Sequence, residues 1–192
     1  MKIVYYPHPT LRHKSKPLRR VNGRVKDIVR EMFELMYEAK GVGLAANQVD
    51  LPFRMFVMNL DGAPDEGEEM IFINPVVERP KGNVEKEEGC LSLPDVYAPV
   101  RRPERITVSA YDLSGNEINR EIDGVLARVV QHETDHLDGV LFVDRLSETV
   151  HFGVEDALHE FKLEFSSQRE RNAIPSDDEI ANKIAEYESQ FC

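Results

Sequence analysis

VLARVVQHETDHLDG, residues 125–139, is the stretch on which the reading of this chain turns. Its apolar positions recur at near-helical spacing from Val125 to Leu137, and Gly139 follows as a stop signal. A helix there sets His132 and His136 on one face, about 5–6 Å apart. Two imidazoles so placed can reach one metal ion. Glu133, directly after the first histidine, stands where a carboxylate can act as general base on a water at that ion. Val125 and Val129 share the face with His132, so the metal would sit against an apolar wall. Read blandly, the pentapeptide is two surface histidines among ordinary acids, and the apolar wall speaks against that.

Two histidines leave a metal site short of the usual three protein ligands plus an open position. The extended zinc-peptidase pattern HExxHxxGxxH has its glycine in Gly139, but Phe142 occupies the third histidine's slot. Other zinc peptidases place a glutamate downstream, and Glu155 or Glu160 would serve. The remaining candidate is Cys90, in EEGCLSLP (residues 87–94), where Gly89 lets the backbone approach another group. A thiolate suits a divalent transition metal, although a buried inert thiol fits the spacing equally well. A closed structural site lacks a fourth ligand of suitable spacing. In GVGLAANQ (residues 41–48), small residues suit a loop passing close to a core, and Gln48 adds a neutral amide able to hold a developing oxyanion.

A length of 192 residues fits one domain. Residues 22–40 read as a helix capped by Asn22 and ended by Lys40 and Gly41. Residues 53–60, 70–74, 105–112 and 117–122 read as strands, with a turn at Ser114, Gly115 and Asn116. Residues 61–69 read as a mobile polar loop, and further helical stretches cover 154–169 and the polar segment after Pro175. Strands grouped around one helix without regular alternation imply an α+β fold rather than a doubly wound sheet. The chain shows neither a signal peptide nor an apolar run of membrane-spanning length, and its two cysteines, Cys90 and Cys192, suit a reducing cytoplasm. A net charge of −11 argues against binding nucleic acid by phosphate neutralisation. The early basic residues, from Arg12 to Arg24, read as a solvated face or as a dock for an anionic partner.

Taken together, GVGLAANQ, EEGCLSLP and QHETDHLDG (residues 131–139) resemble the three signature motifs of the peptide deformylase family, in order and at similar spacing. His8-Pro9-Thr10-Leu11-Arg12 and Leu141-Phe142-Val143-Asp144-Arg145 are also similar to that family. The resemblance implies metal ligation by Cys90, His132 and His136, with Glu133 as general acid and base. It assigns the oxyanion to the Gln48 amide and the Leu91 N–H. Val42, Val125 and Val129 would line a methionine pocket, and Gly43, Gly89 and Tyr97 would meet the peptide. Arg128 stands where the family often has an apolar residue. The fold implied has antiparallel sheets around a central HExxH-bearing helix, with a catalytic domain over residues 1–165. Residues 166–192 form a polar, acidic C-terminal extension of the same domain, in which a helix is expected. The activity implied is removal of the formyl group from N-terminal formyl-methionine of nascent polypeptides, with zinc-dependent peptidase as the rival reading. Ferrous iron is the favoured cofactor, and zinc, nickel or cobalt fit the same ligands. Transient ribosome contact and homodimerisation stay open; the family's basic ribosome-docking helix has an acidic counterpart here.

Overall fold

Side chains alternate between the two faces of a strand, and here that alternation lets one sheet serve two cores. In the computed structural model, which describes residues 1–192, helix α1 (Gly23–Glu38) precedes strands β1 (Gly43–Ala45), β2 (Met55–Met58) and β3 (Met70–Lys81). Strands β4 (Val84–Cys90), β5 (Leu93–Arg102), β6 (Arg105–Tyr111) and β7 (Glu117–Asp123) follow. Helix α2 (Gly124–Leu137) comes next, then α3 (Glu148–Phe152), α4 (Glu155–Glu170) and α5 (Asp177–Phe191). Five strands make one antiparallel sheet in the order β1-β2-β3-β6-β7, while β4 and β5 pair as a separate antiparallel ribbon. The fold is α+β, as expected.

Leu44, Met55, Val57 and Ile73 turn one way, onto Val25, Val29, Met32 and Met36 of α1. Their neighbours Ala45, Phe56, Met58 and Phe72 turn the other way, onto Ala127, Val130 and Leu137 of α2. The sheet is thus held between two helices, and each is amphipathic enough to cover one face. A third core joins the inward residues of β5 (Leu93, Val96, Ala98, Val100) to Leu11, Phe142 and Leu158. That core ties the ribbon to the segment after α2. Each large buried side chain contributes about 1.5–3 kcal/mol.

The structure differs from the sequence expectations at several points. Residues 70–74 were expected to end before Pro75, yet β3 runs on to Lys81. The register shifts between Ile73 and Val76, and Asn74 takes φ 55°, so a bulge accommodates a proline that cannot donate to the ladder. At the end of α1 it is Lys40, with φ 56°, that takes the left-handed turn in place of Gly41. Strands β1, β4 and β5 and helix α3 lie where no element was expected. In the 61–69 loop, Ala63 O and Glu66 O accept hydrogen bonds from the buried Asn59 amide at 3.0 and 2.8 Å.

Helix α5 returns to the body of the protein. Phe191 is buried against Phe53, with ring centroids 4.8 Å apart, and Ile180 is buried too. Glu188 accepts from Lys16 at 2.7 Å and pairs with His13 at 2.8 Å. Burial alone would raise the Glu188 carboxyl, but these partners hold it below the ordinary carboxylate range. A carboxylate depressed in the folded state stabilises above its unfolded pKa, and that contribution disappears as pH falls through the lowered value. Phe191→Ala is expected to cost about 3 kcal/mol of unfolding free energy. Amide exchange should then rise first across Asp177–Phe191, and unchanged exchange there would contradict this packing.

Candidate functional site

The ribbon and α2 bring together residues that are far apart in sequence. Strands β4 and β5 pair regularly from Val84↔Arg102 to Gly89↔Tyr97, then the register slips so that Cys90 meets Leu93. Leu91 and Ser92 close the turn, and the slip aims the Cys90 side chain toward α2. There the Cys90 Sγ lies 3.2 Å from His136 Nε2, which is in turn 3.2 Å from His132 Nε2. One ligand atom from each of the three residues lies within 4.8 Å of the others. Glu155 and Glu160, the alternative third ligands, stand exposed on α4 and outside this group.

A single turn of 3-10 helix, Ala46–Val49, follows β1. Gln48 is buried there, and its Oε1 accepts the Ala45 N–H at 2.8 Å. That bond fixes the amide's orientation and leaves Nε2 facing Ser92 Oγ at 3.2 Å and Cys90 Sγ at 3.5 Å. The Ser92 N–H also points at the sulfur, at 3.4 Å. Asn47 donates to the His136 carbonyl, which locks this turn to the end of α2.

Glu133 is buried, and its Oε2 has no hydrogen-bond partner within the protein. Burial pushes its carboxyl up to about 7, against the pull of His132 and Arg102. Gly43 makes room for it: a Cβ on that residue would overlap Glu133 Oε1. Any side chain at position 43 therefore displaces the carboxylate.

Glu88 is the residue that sequence reasoning missed. Its carboxylate accepts from Arg102 Nε at 2.6 Å and Nη2 at 2.9 Å, from Arg128 at 2.5 Å, and meets His132 Nδ1 at 3.0 Å. Burial would raise it, but the His132 and Arg102 hydrogen bonds, with their charges, bring it down to about 2. Burial likewise opposes charge on His132, yet Cys90, Glu88 and Glu133 raise that ring to about 10. His136 moves the other way, lowered well below the usual imidazole value by burial and by the His132 charge.

These features fit a divalent transition-metal ion. One sulfur and two imidazole nitrogens converge, a donor set for which such ions have high affinity. Glu88 at Nδ1 fixes the His132 tautomer that turns Nε2 inward, the usual outer support of a metal-binding histidine. His136 Nδ1 is buried without such a partner. Metal ligands bind in their deprotonated forms, so a cation taking this place would compete with protons for these atoms.

All the expected substrate-contact residues, Val42, Gly43, Gly89, Tyr97, Val125 and Val129, line one cleft of about 730 Å³. Cys90, His132, Glu133, Gln48 and Leu91 open onto the same cleft. Val42, Tyr97 and Val125 are exposed at its rim. Arg128 lines it as well, but its guanidinium is spent on Glu88 and on the Val100 and Val84 carbonyls, at 3.0 and 2.8 Å. Position 128 thus holds a charge without presenting one to a ligand. Its sequence signal was a charge where the family often has an apolar residue.

Replacing Arg128 with Met keeps the stem and strands part of a buried ion network. Unfolding free energy should fall by about 3 kcal/mol. Urea titration checks this, and a change under about 0.5 kcal/mol, the usual effect of a surface substitution, would show that the guanidinium does not support Glu88.

Comparison with known proteins fits this site. The sequence profile of the polypeptide deformylase family matches residues 1–151. A peptide deformylase of Rhodopirellula baltica is 49% identical over 191 residues, covering 100% of this chain and 95% of that protein. The Neisseria gonorrhoeae peptide deformylase is 46% identical over 148 residues, 77% of this chain and 87% of that protein. Among solved structures, a plant peptide deformylase superposes with a TM-score of 0.84 at 38% identity, covering 92% of this chain and 95% of the other. With a profile match across most of its length and near-complete alignment to a relative at 49% identity, this chain belongs to the polypeptide deformylase family.

Proposed function

We propose that the cleft removes formate from N-terminal formyl-methionine, with Cys90, His132 and His136 holding one divalent ion and Glu133 moving the protons. The observation that carries this reading is the convergence of the three ligand atoms beside a buried carboxylate oxygen with no partner of its own. When bound, the ion supplies Lewis acidity, polarising the carbonyl and making water acidic near neutral pH. The donor set accepts iron, zinc, nickel or cobalt, and the family resemblance supports ferrous iron.

The remaining work falls to side chains and backbone. Glu133 takes a proton from the attacking water as its oxygen bonds to the formyl carbon. Gln48 Nε2, oriented by its bond to Ala45, and the Leu91 N–H in the ribbon turn donate to the formyl oxygen as charge builds there. The C–N bond then breaks, Glu133 returns the proton to the departing amine, and formate leaves. Val42, Val125 and Val129 receive the methionine side chain, while Gly43, Gly89 and Tyr97 flank the peptide. A formyl carbon bears only hydrogen, so a confined site admits it and rejects larger acyl groups.

Residues 1–165 form the catalytic unit in this reading, and 166–192 an extension of the same domain. No helix is long and apolar enough to cross a membrane, and action in the cytoplasm follows from the nascent-chain substrate. Ribosome contact, if made, is not assigned to α5, whose first turn carries Asp177, Asp178 and Glu179.

Formate release from formyl-Met-Ala-Ser by protein loaded with ferrous iron without oxygen tests the proposal. Glu133→Ala should lower turnover by about 10²–10⁴ while retaining metal. Acetyl-Met-Ala-Ser should be inert. Undiminished turnover by the variant removes Glu133 from its role, and absence of formate with iron, nickel and zinc in turn sinks the reading.

A further inference from the structure

A second cavity, larger than the cleft at about 1010 Å³, lies between the N-terminal segment, α1, α4 and α5. Ile3, Tyr5 and Pro94 line both spaces. The N-terminal segment is anchored beside the site by Val4 N–H on the Gln48 carbonyl, at 2.8 Å, and Tyr6 N–H on the Ser92 carbonyl, at 3.0 Å. The N-terminal segment and Pro94 therefore form a boundary common to the two spaces, held to the same turns that carry Gln48 and Leu91.

The walls of the larger cavity include Ile28, Phe161, Phe165 and Tyr187. Two of its cations are engaged, Lys183 with Asp50 and Arg24 over the Tyr187 and Phe191 rings, and Lys2 adds a third. Asp27, Glu31 and Glu164 add opposite charge. A surface of this mixed sign and apolar lining suits an uncharged peptide segment and gives no single-sign field for a phosphate backbone. An extended tripeptide spans only about 10 Å, so the fourth and later residues of a nascent chain leave the cleft and need a path.

We infer that the cavity beneath α4 and α5 continues the substrate cleft and takes apolar residues beyond the third position of the formyl-methionyl chain. This rests on the deformylase reading above. It gives α4 and α5 a part in selecting among nascent chains by their early apolar content, without touching the chemistry at Cys90.

The experiment compares formyl-Met-Ala-Ser with two formyl-Met octapeptides, identical except for leucine or aspartate at positions five to seven. The leucine octapeptide should show a KM about tenfold below the tripeptide at similar kcat, as expected for burying roughly one leucine side chain. The aspartate octapeptide should show no gain. In Phe165→Ala the ratio of kcat/KM between leucine octapeptide and tripeptide should fall toward one. Equal KM for all three substrates, or a gain that survives Phe165→Ala, overturns the inference. Should that variant misfold, a leucine octapeptide carrying a photoreactive phenylalanine at position six decides with the unaltered enzyme. Labelling of α4 or α5 supports the path, and labelling confined to other elements rejects it. Failure of the tripeptide itself to release formate would count against the proposed function, a result separable from any length effect.

Discussion

The buried carboxylate of Glu88 is the interaction on which the arrangement of the site depends. It receives two bonds from Arg102, one from Arg128 and one contact from His132, and so joins β5, two successive turns of α2, and β4 itself. Arg102 also donates to Asp135 at 2.7 Å, and Arg145 pairs with the same carboxylate. A single buried carboxylate is costly to desolvate, by several kcal/mol, and only a set of donors this complete offsets that penalty. The network's main product is geometric. It fixes the angle between ribbon and helix, so that Cys90 and the two histidines point at one another.

Small residues complete that geometry from the other side. Gly43 and Ala45 on β1 are buried where α2 passes, which allows the helix close enough for Asn47 to reach the His136 carbonyl. A side chain at position 43 would push Glu133 out of its place. The hydrophobic cores on both faces of the sheet supply stability, and the polar contacts through Glu88, Asn47 and Gln48 supply position.

Periodicity made the helices legible: α1 and α2 present long runs of apolar residues at helical spacing, and Asn22 caps α1 as its side chain promises. Strand β6 alternates cleanly and was visible for the same reason. Strand β4 was not, because its one inward-facing residue between Val84 and Gly89 is Glu88, a charged side chain that disguises the alternation. Pro94 and Pro99 obscured β5, whose inward residues nonetheless alternate from Val96 to Arg102. Spacing alone left the third ligand undecided between Cys90 and downstream glutamates, and the ribbon's register slip is what brings the cysteine to the histidines. Arg128 looked anomalous on an apolar face because its partner lies on a strand 40 residues away in sequence.

X-ray absorption at the iron edge of anaerobically loaded protein tests the central claim most directly. The account predicts a first shell containing one sulfur and two imidazole nitrogens, with the sulfur contribution lost in Cys90→Ser. A shell of nitrogen and oxygen only in the unaltered protein would contradict it, and would return the question of the third ligand to the carboxylates of α4.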